Sequence, residues 1–327
     1  MATKTLVQTI HDTLHDEMER DDRVIVLGED VGARGGVFRV TMGFLDEFGE
    51  QRVLDTPLDE CLIAGVAIGM ALDGLRPVAE IQFADFIFPA FNQIVSEAAR
   101  IRYRSNGDFE VPLVIRAPYG GGVHGALYHS QSVEAFFAHV PGLKVVAPST
   151  AEDARGMLIR AIEDPDPVLF FEHKKTYRLV KGEVPEERYA TPFGKAVVRR
   201  EGRDLTCVSY GLMHHLAVEA AERLARDGIE VEVIDLRSIF PLDIGTVLES
   251  VGKTNKVMVV YEDNKFLGVG AEVAAQIAEN ALFELDGPIV RIGGPHVPAM
   301  PYSPALEHWF LPDADRLEQE MRKLAEY

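Results

Sequence analysis

Apolar residues recur at helical spacing in "TIHDTLHDEMERD", where Ile10, Leu14 and Met18 share one face. The next apolar run, "RVIVLGED", is short, unbroken and stopped by Gly28, which predicts a buried strand. "RPVAEIQF", "VPLVIRAP", "LKVVAPS" and "DPVLFFEH" have the same character. Between the last two, "STAEDARGMLIRAIED" predicts a helix with Ser149 and Glu152 as a capping box. This alternation predicts an α/β fold, a mostly parallel, doubly wound sheet with helices on both faces. The pattern lapses in "HKKTYRLVKGEVPEERYATPFG", which is charged, carries prolines and reads as a linker. A second α/β series then begins, with strands in "DLTCVSYG", "IEVEVIDL", "KVMVVYED" and "PIVRIGG". Its helices lie in "HHLAVEAAERLARDG", "GAEVAAQIAENALFEL" and "PDADRLEQEMRKLAEY".

Composition narrows the setting. A chain of 327 residues suits two domains, and 47% hydrophobic residues suffice for a sizeable core. No apolar run approaches the ~20 residues that cross a bilayer, and the charged start "MATKTLVQTIHDTLHDEMERDD" has no signal-peptide core. With Cys61 and Cys207 far apart in apolar company, reduced, buried thiols and a cytoplasmic location are expected. The net charge, 33 − 52 = −19, argues against a nucleic acid or an anionic membrane as partner. It suits a basic protein partner, and equally an acidic surface with no partner.

Candidate chemistry gathers in loops that follow predicted strands: "GEDVG", "DTPLDE", "QFADFIF" and "GGGVHGALYHSQS". Open parallel sheets bind ligands at the carboxyl ends of their strands. Three of these loops supply an acid, an aromatic cluster and a histidine from distant parts of the chain. Each has a plainer reading. Glu60 can favour a helix macrodipole, Glu29 can be a turn residue, and Phe83, Phe86 and Phe88 can be core. His124 and His129 have poor metal-ligand spacing, so no metal is expected on this chain. The glycines of "GVGAEVAA" form an incomplete dinucleotide fingerprint, better explained by close helix packing.

Five long stretches in order, "VLGEDVGARGGVFRVT", "RVLDTPLDE", "AEIQFADFIFPAFNQIVSEAARIRYRSNG", "GGGVHGALYHSQSVEAFFAHVPGLKVVAPST" and "DPVLFFEHK", carry a resemblance. They look like the β subunit of the thiamine-diphosphate-dependent 2-oxoacid dehydrogenase component, and "DLRSIFPLDIGTVLESVGKTNKVMVVYED" extends it through the second half. The resemblance implies a pyrimidine-type domain of the thiamine-diphosphate-binding fold over residues 1–180, a linker at 181–194 and a transketolase C-terminal-like α/β domain over 195–327.

It also implies roles for residues. Glu60 would hydrogen-bond the aminopyrimidine of the coenzyme and favour the tautomer that activates its thiazolium carbon. Phe86 would pack on the pyrimidine, with Glu29, Leu58, Asp59 and Gln82 around it. Phe83 and Phe86 would line the substrate pocket, and His129 would assist the 2-oxoacid and the acyl transfer to a lipoyl group.

The Mg²⁺-diphosphate segment "GDG…N" has no counterpart, because "GDG" is absent from the sequence. The resemblance assigns that half, with the Mg²⁺, to a separate α subunit in an α₂β₂ heterotetramer. Some relatives hold a potassium ion (K⁺) on carbonyls near Leu113 and Ala161–Asp164, which the residue types do not test. A lipoyl-bearing acyltransferase core, docking through its basic subunit-binding domain, is the implied macromolecular partner. "EIQFADFIFPAF" and "GVHGALYHSQSVEAFF" look closer to branched-chain than to pyruvate members, leaving pyruvate or acetoin dehydrogenase as the alternative. A non-catalytic nucleotide-binding or electron-transfer subunit and a self-sufficient transketolase-like enzyme are the readings from outside that family.

Overall fold

The computed structural model describes residues 2–327; Met1, where the first expected domain begins, lies outside them. The chain forms two compact units. One holds the chain up to Tyr119 together with Phe136–Phe193, the other Gly120–Ala135 together with Gly194–Tyr327.

In the first unit, strands run in the order Lys144–Val146, Val168–His173, Val114–Tyr119, Arg76–Glu80, Val24–Gly28 and Val53–Asp55, each parallel to its neighbour. Val24–Gly28, Val114–Tyr119 and Val168–His173 are buried at every residue, as strands covered on both faces must be. Helix Leu6–Arg20 starts on a capping box of Thr5 and Gln8 and buries Leu6, Ile10, Leu14 and Met18. Those side chains share a core with Ala154, Met157 and Leu158 of helix Ala151–Glu163. Helix Glu60–Leu72 packs against strand Arg76–Glu80 and the turn Ala84–Ala90.

One local expectation needs correction, and one stretch carries more structure than its sequence pattern shows. The cap of helix Ala151–Glu163 is Thr150, not Ser149, and its hydroxyl accepts from Asp153 N–H at 3.1 Å. Adjacent Ser149 and Thr150 both suit the cap pattern, and Thr150 takes the extended backbone that a cap requires. The stretch read as a linker begins with ordered structure. Helix Thr176–Leu179 is followed by strand Lys181–Val184, which pairs antiparallel with Ala2–Thr5. Farther along, Tyr189 donates to Glu152 O at 2.7 Å and Thr191 N–H to Gly156 O at 2.9 Å, so this segment straps across helix Ala151–Glu163.

In the second unit, strands Val290–Gly294, Val257–Asn264, Leu205–Ser209 and Val231–Asp235 are parallel in that order, and Val197–Arg200 closes the edge antiparallel. Helices Gly211–Ala225 and Ala314–Ala325 cover the core around Cys207, Val233 and Met258. Burial pushes the Cys207 thiol up to about 12, so it is an inert core group, whereas Cys61 is half-buried. The glycines of "GVGAEV" answer to packing. A Cβ on Gly270 would come within 2.1 Å of the Tyr261 ring, and one on Gly268 within 2.3 Å of Asn264 O. Among the described residues, no helix is long and apolar enough to cross a membrane.

Candidate functional site

From strand Val24–Gly28 the chain passes to Val53–Asp55 on one side, then crosses back to Arg76–Glu80 on the other. That reversal makes the carboxyl ends of the three strands a topological switch point, where open α/β sheets place their ligands. Glu29 follows the middle strand, Leu58–Glu60 one flanking strand, and Gln82–Phe86 the other. Three separate expectations from sequence therefore fall at one end of three adjacent strands.

Local structure fixes each of them. The loop carrying Glu29 is tied by Gly32 N–H to Asp55 Oδ1 at 2.6 Å and by Thr41 Oγ1 to Val31 O at 2.6 Å. Gly28 leaves its strand with φ +157°, where a Cβ would lie 2.7 Å from Glu80 O. Gln82 is half-buried and donates from Nε2 to Glu29 O at 3.3 Å, bridging two of the three loops. Phe83 and Phe86 stand edge to face, centroids 5.6 Å apart, and both are half-buried, whereas Phe88 is exposed. Phe83 also stands edge to face with Phe38, centroids 5.5 Å apart, so the pair adjoins the core without being enclosed by it. Lys174 Nζ lies 5.7 Å from the centroid of the Phe83 ring.

Glu60 is the first residue of helix Glu60–Leu72 and is half-buried. It does not cap that helix. Asp59 does, its Oδ1 accepting from Leu62 N–H at 3.1 Å, which occupies one oxygen of a residue expected to touch the coenzyme. The Glu60 carboxyl is thereby left available for other work. Leu58 is 75% exposed. The Glu29 carboxyl is raised by burial first, then by the charges of Asp30 and Glu60. A half-exposed acid, an amide and an aromatic wall at a switch point suit a flat, nitrogen-bearing heterocycle, with polar edge to the acids and faces to the rings. The donor set thus fits an aminopyrimidine.

Among the described residues, the one His/Cys/Asp/Glu group close enough to hold a metal ion is His15, Asp16 and Glu19, which includes none of Glu29, Asp59 or Glu60. The carbonyls considered for K⁺ each accept one backbone N–H, Leu113 O from Val168 at 2.9 Å and Ala161 O from Asp164 at 3.3 Å, which leaves a second lone pair on each.

His129 belongs to the second unit, on the glycine-rich segment Gly120–Ala135. It is half-buried and ends the short turn Ala126–Tyr128. Gly120 and Gly122 take φ of +87° and +78°, and a Cβ on Gly125 would meet His129 O at 2.5 Å, so the loop folds back on the histidine only because glycine stands there. His124 is not poised beside it for a metal. Its Nδ1 lies 2.6 Å from Glu307 Oε2.

Sequence reasoning missed the buried acids around this loop. Glu134 is fully buried and accepts from Tyr210 Oη at 2.6 Å. Its carboxyl is pushed up to about 8, by burial first and then by the Asp263 charge. Asp263 itself is pushed up to about 6, chiefly by burial, with Glu262 adding to it. No sequence signal marks these acids, since their contacts are long-range. A carboxyl raised in the native state stabilises fully below its unfolded pKa, and that contribution is lost as pH rises through the native value. Glu134→Gln, which mimics the protonated acid, is therefore expected to raise the melting temperature by several degrees at pH 8 and to leave it nearly unchanged at pH 4.5. Equal melting shifts at the two pH values would mean Glu134 ionises normally.

Comparison with known proteins bears on the whole chain. The model of the transketolase pyrimidine-binding domain matches residues 2–180, and that of the transketolase C-terminal domain matches residues 194–317. The chain is 58% identical over 327 residues to 2-oxoisovalerate dehydrogenase subunit beta of Bacillus subtilis, covering 100% of both chains. It is 47% identical over 327 residues, again 100% of both, to pyruvate dehydrogenase E1 component subunit beta of the same organism. The corresponding subunit of Acholeplasma laidlawii is 46% identical over 325 residues, 99% of each chain. Among solved structures, a chain described as split gene transketolase, inactive beta4 tetramer, superposes with TM-score 0.79 over 98% of each chain at 24% identity, a likeness of fold.

Proposed function

Because the chain belongs to the family of 2-oxoacid dehydrogenase β subunits, which depend on thiamine diphosphate, we propose that it is the β half of an enzyme decarboxylating a branched-chain 2-oxoacid. The acyl group would pass to a lipoyl-lysine on an acyltransferase core. An α subunit completes the active enzyme as an α₂β₂ heterotetramer and holds the Mg²⁺ and diphosphate, for which this sequence has no "GDG" segment. The assembly works in the cytoplasm. Residues 1–180 act as the pyrimidine domain and 195–327 as the C-terminal domain, with 181–194 joining them.

The observation that carries the reading is the meeting of Glu29, Glu60 and the Gln82–Phe86 loop at the switch point of one sheet. When bound, thiamine diphosphate supplies a carbon nucleophile and an electron sink. Glu60 would hold a proton at the ring nitrogen of the pyrimidine, with the Glu29 carboxyl, raised by burial and neighbouring charge, beside it. Phe86 would pack on the pyrimidine, Gln82 and Glu29 would offer polar contacts to it, and Leu58 and Asp59 would border it. Phe83 and Phe86 keep water from the acyl side chain, and His129 holds a proton at the substrate oxygen.

The greater identity to a 2-oxoisovalerate dehydrogenase subunit supports the branched-chain substrate. With an α subunit present, kcat/KM for 2-oxoisovalerate is expected to exceed that for pyruvate by about tenfold or more, since each buried methylene is worth about 1–3 kcal/mol. The chain alone is expected to show no turnover. A pyruvate preference would transfer the assignment to pyruvate dehydrogenase, and turnover by the lone chain would remove the α subunit from the scheme.

A further inference from the structure

The glycine-rich segment that bears His129 is held by acids contributed from far along the second unit. Gly121 N–H donates to Glu262 Oε1 at 2.5 Å. Gly122 N–H and His124 N–H both donate to Glu307 Oε1, at 3.0 and 3.2 Å, while the other Glu307 oxygen meets His124 Nδ1 at 2.6 Å. Glu307, on helix Pro304–Phe310, is only 3% exposed. Backbone N–H groups converging on a carboxylate form an anion-binding nest, here filled from within the chain.

The nest secures an unfavourable backbone. His124 and Ala126 have φ of +55° and +54° without being glycine, conformations costing of order 1 kcal/mol or more each. Such a turn persists only where its surroundings over-determine it. Immediately beyond, the chain folds back so that Gly125 touches His129. The conformation of residues 122–126 therefore sets where His129 stands.

We infer that Glu307 is a positioning residue for His129: its buried carboxylate holds the left-handed turn at residues 122–126 and, through it, the orientation of the histidine. The inference rests on the role proposed above for His129. Glu307 touches no reacting atom, and its effect passes through the loop.

The test is a double-mutant cycle in the enzyme assembled with its α subunit, using Glu307→Ala, His129→Ala and the pair. Glu307→Ala alone is expected to lower kcat by about 10- to 100-fold, the scale of a misplaced catalytic group, with thiamine diphosphate affinity retained. On the His129→Ala background it is expected to add almost nothing, because the group it positions is gone. Glu307→Gln, which keeps an acceptor for the two backbone N–H groups, should recover most of the loss. A second readout uses the full-length chain without cofactor. Chymotryptic cleavage at Leu127 and Tyr128, exposed by 43% and 62%, should accelerate in Glu307→Ala and not in Glu307→Gln. Multiplying effects in the double variant, or unaltered cleavage, would overturn the positioning role while leaving His129 intact. Wild-type turnover in His129→Ala alone would instead remove the His129 assignment, and this inference with it.

Discussion

Glutamine in place of Glu60, in the enzyme assembled with its α subunit, is expected to lower the rate of 2-oxoacid decarboxylation by about 10³-fold, some 4 kcal/mol of barrier. The substitution keeps size and hydrogen-bonding reach and removes only the capacity to hold and release a proton. Stability should not intervene, because Asp59 and not Glu60 caps helix Glu60–Leu72. A further sign should accompany the loss. Glu60 is one of the charges that raise Glu29, so its neutralisation should let Glu29 fall toward the ordinary carboxylate range. Single-turnover decarboxylation measured beside thiamine diphosphate affinity separates chemistry from binding. If the variant turned over within a factor of ten of the parent at unchanged affinity, Glu60 would be a helix-end acid and nothing more.

The second large effect concerns the interior of the first unit. Arg116 and Glu172 are fully buried and Glu80 nearly so. Arg116 binds Glu172 through Nε and Nη2, both at 2.7 Å, and Glu80 through Nη1 at 2.7 Å, while Tyr177 donates its hydroxyl to Glu172. Burial pushes Glu80 up, and the Arg116 charge pulls it partly back. Arg116→Leu would strand two carboxylates out of water. It should cost about 3–5 kcal/mol, the range for breaking a buried ion pair. Urea unfolding should show this as a lower midpoint, more severe at pH 8 than at pH 5, because the orphaned acids can take up protons at the lower pH. Adding Glu80→Gln and Glu172→Gln, which leaves no uncompensated charge, should restore part of the loss. A single variant as stable as the parent would mean the cluster is hydrated and not a buried network. The cluster also bears on the site. Glu80 ends the strand that leads to Gln82, and a Cβ on Gly36 would sit 2.9 Å from Glu80 Oε1, so the loop carrying Glu29 is packed close to the same acid.

Much of this architecture is legible in the order of residues because its signals are local. Unbroken apolar runs mark the buried parallel strands, and the spacing of Ile10, Leu14 and Met18 marks the first helix. The fold rule for open sheets then points to the strand ends where Glu29, Glu60 and Gln82 occur. Illegible features have a physical reason in each case. Strand Val53–Asp55 has three residues, too few for a period to show. Lys181–Val184 is a strand only because Ala2–Thr5 offers an edge to it, and nothing in "KGEV" itself announces that. Asp59 and Glu60 are neighbours with similar chemistry, and only the backbone decides that the first caps the helix while the second begins it. Glu307 meets its loop across an interval of 185 residues, a contact that local pattern cannot carry.

The withdrawal of acids from solvent changes what the formal charge of −19 means. Glu80, Glu134, Glu172, Glu262 and Glu307 all count toward that figure, yet each is consumed in the interior, by a guanidinium, a phenol or backbone amides. The far field felt by an approaching cationic module comes from the acids still bathed in electrolyte. Its capture rate should therefore fall with added salt less steeply than the residue tally alone would suggest.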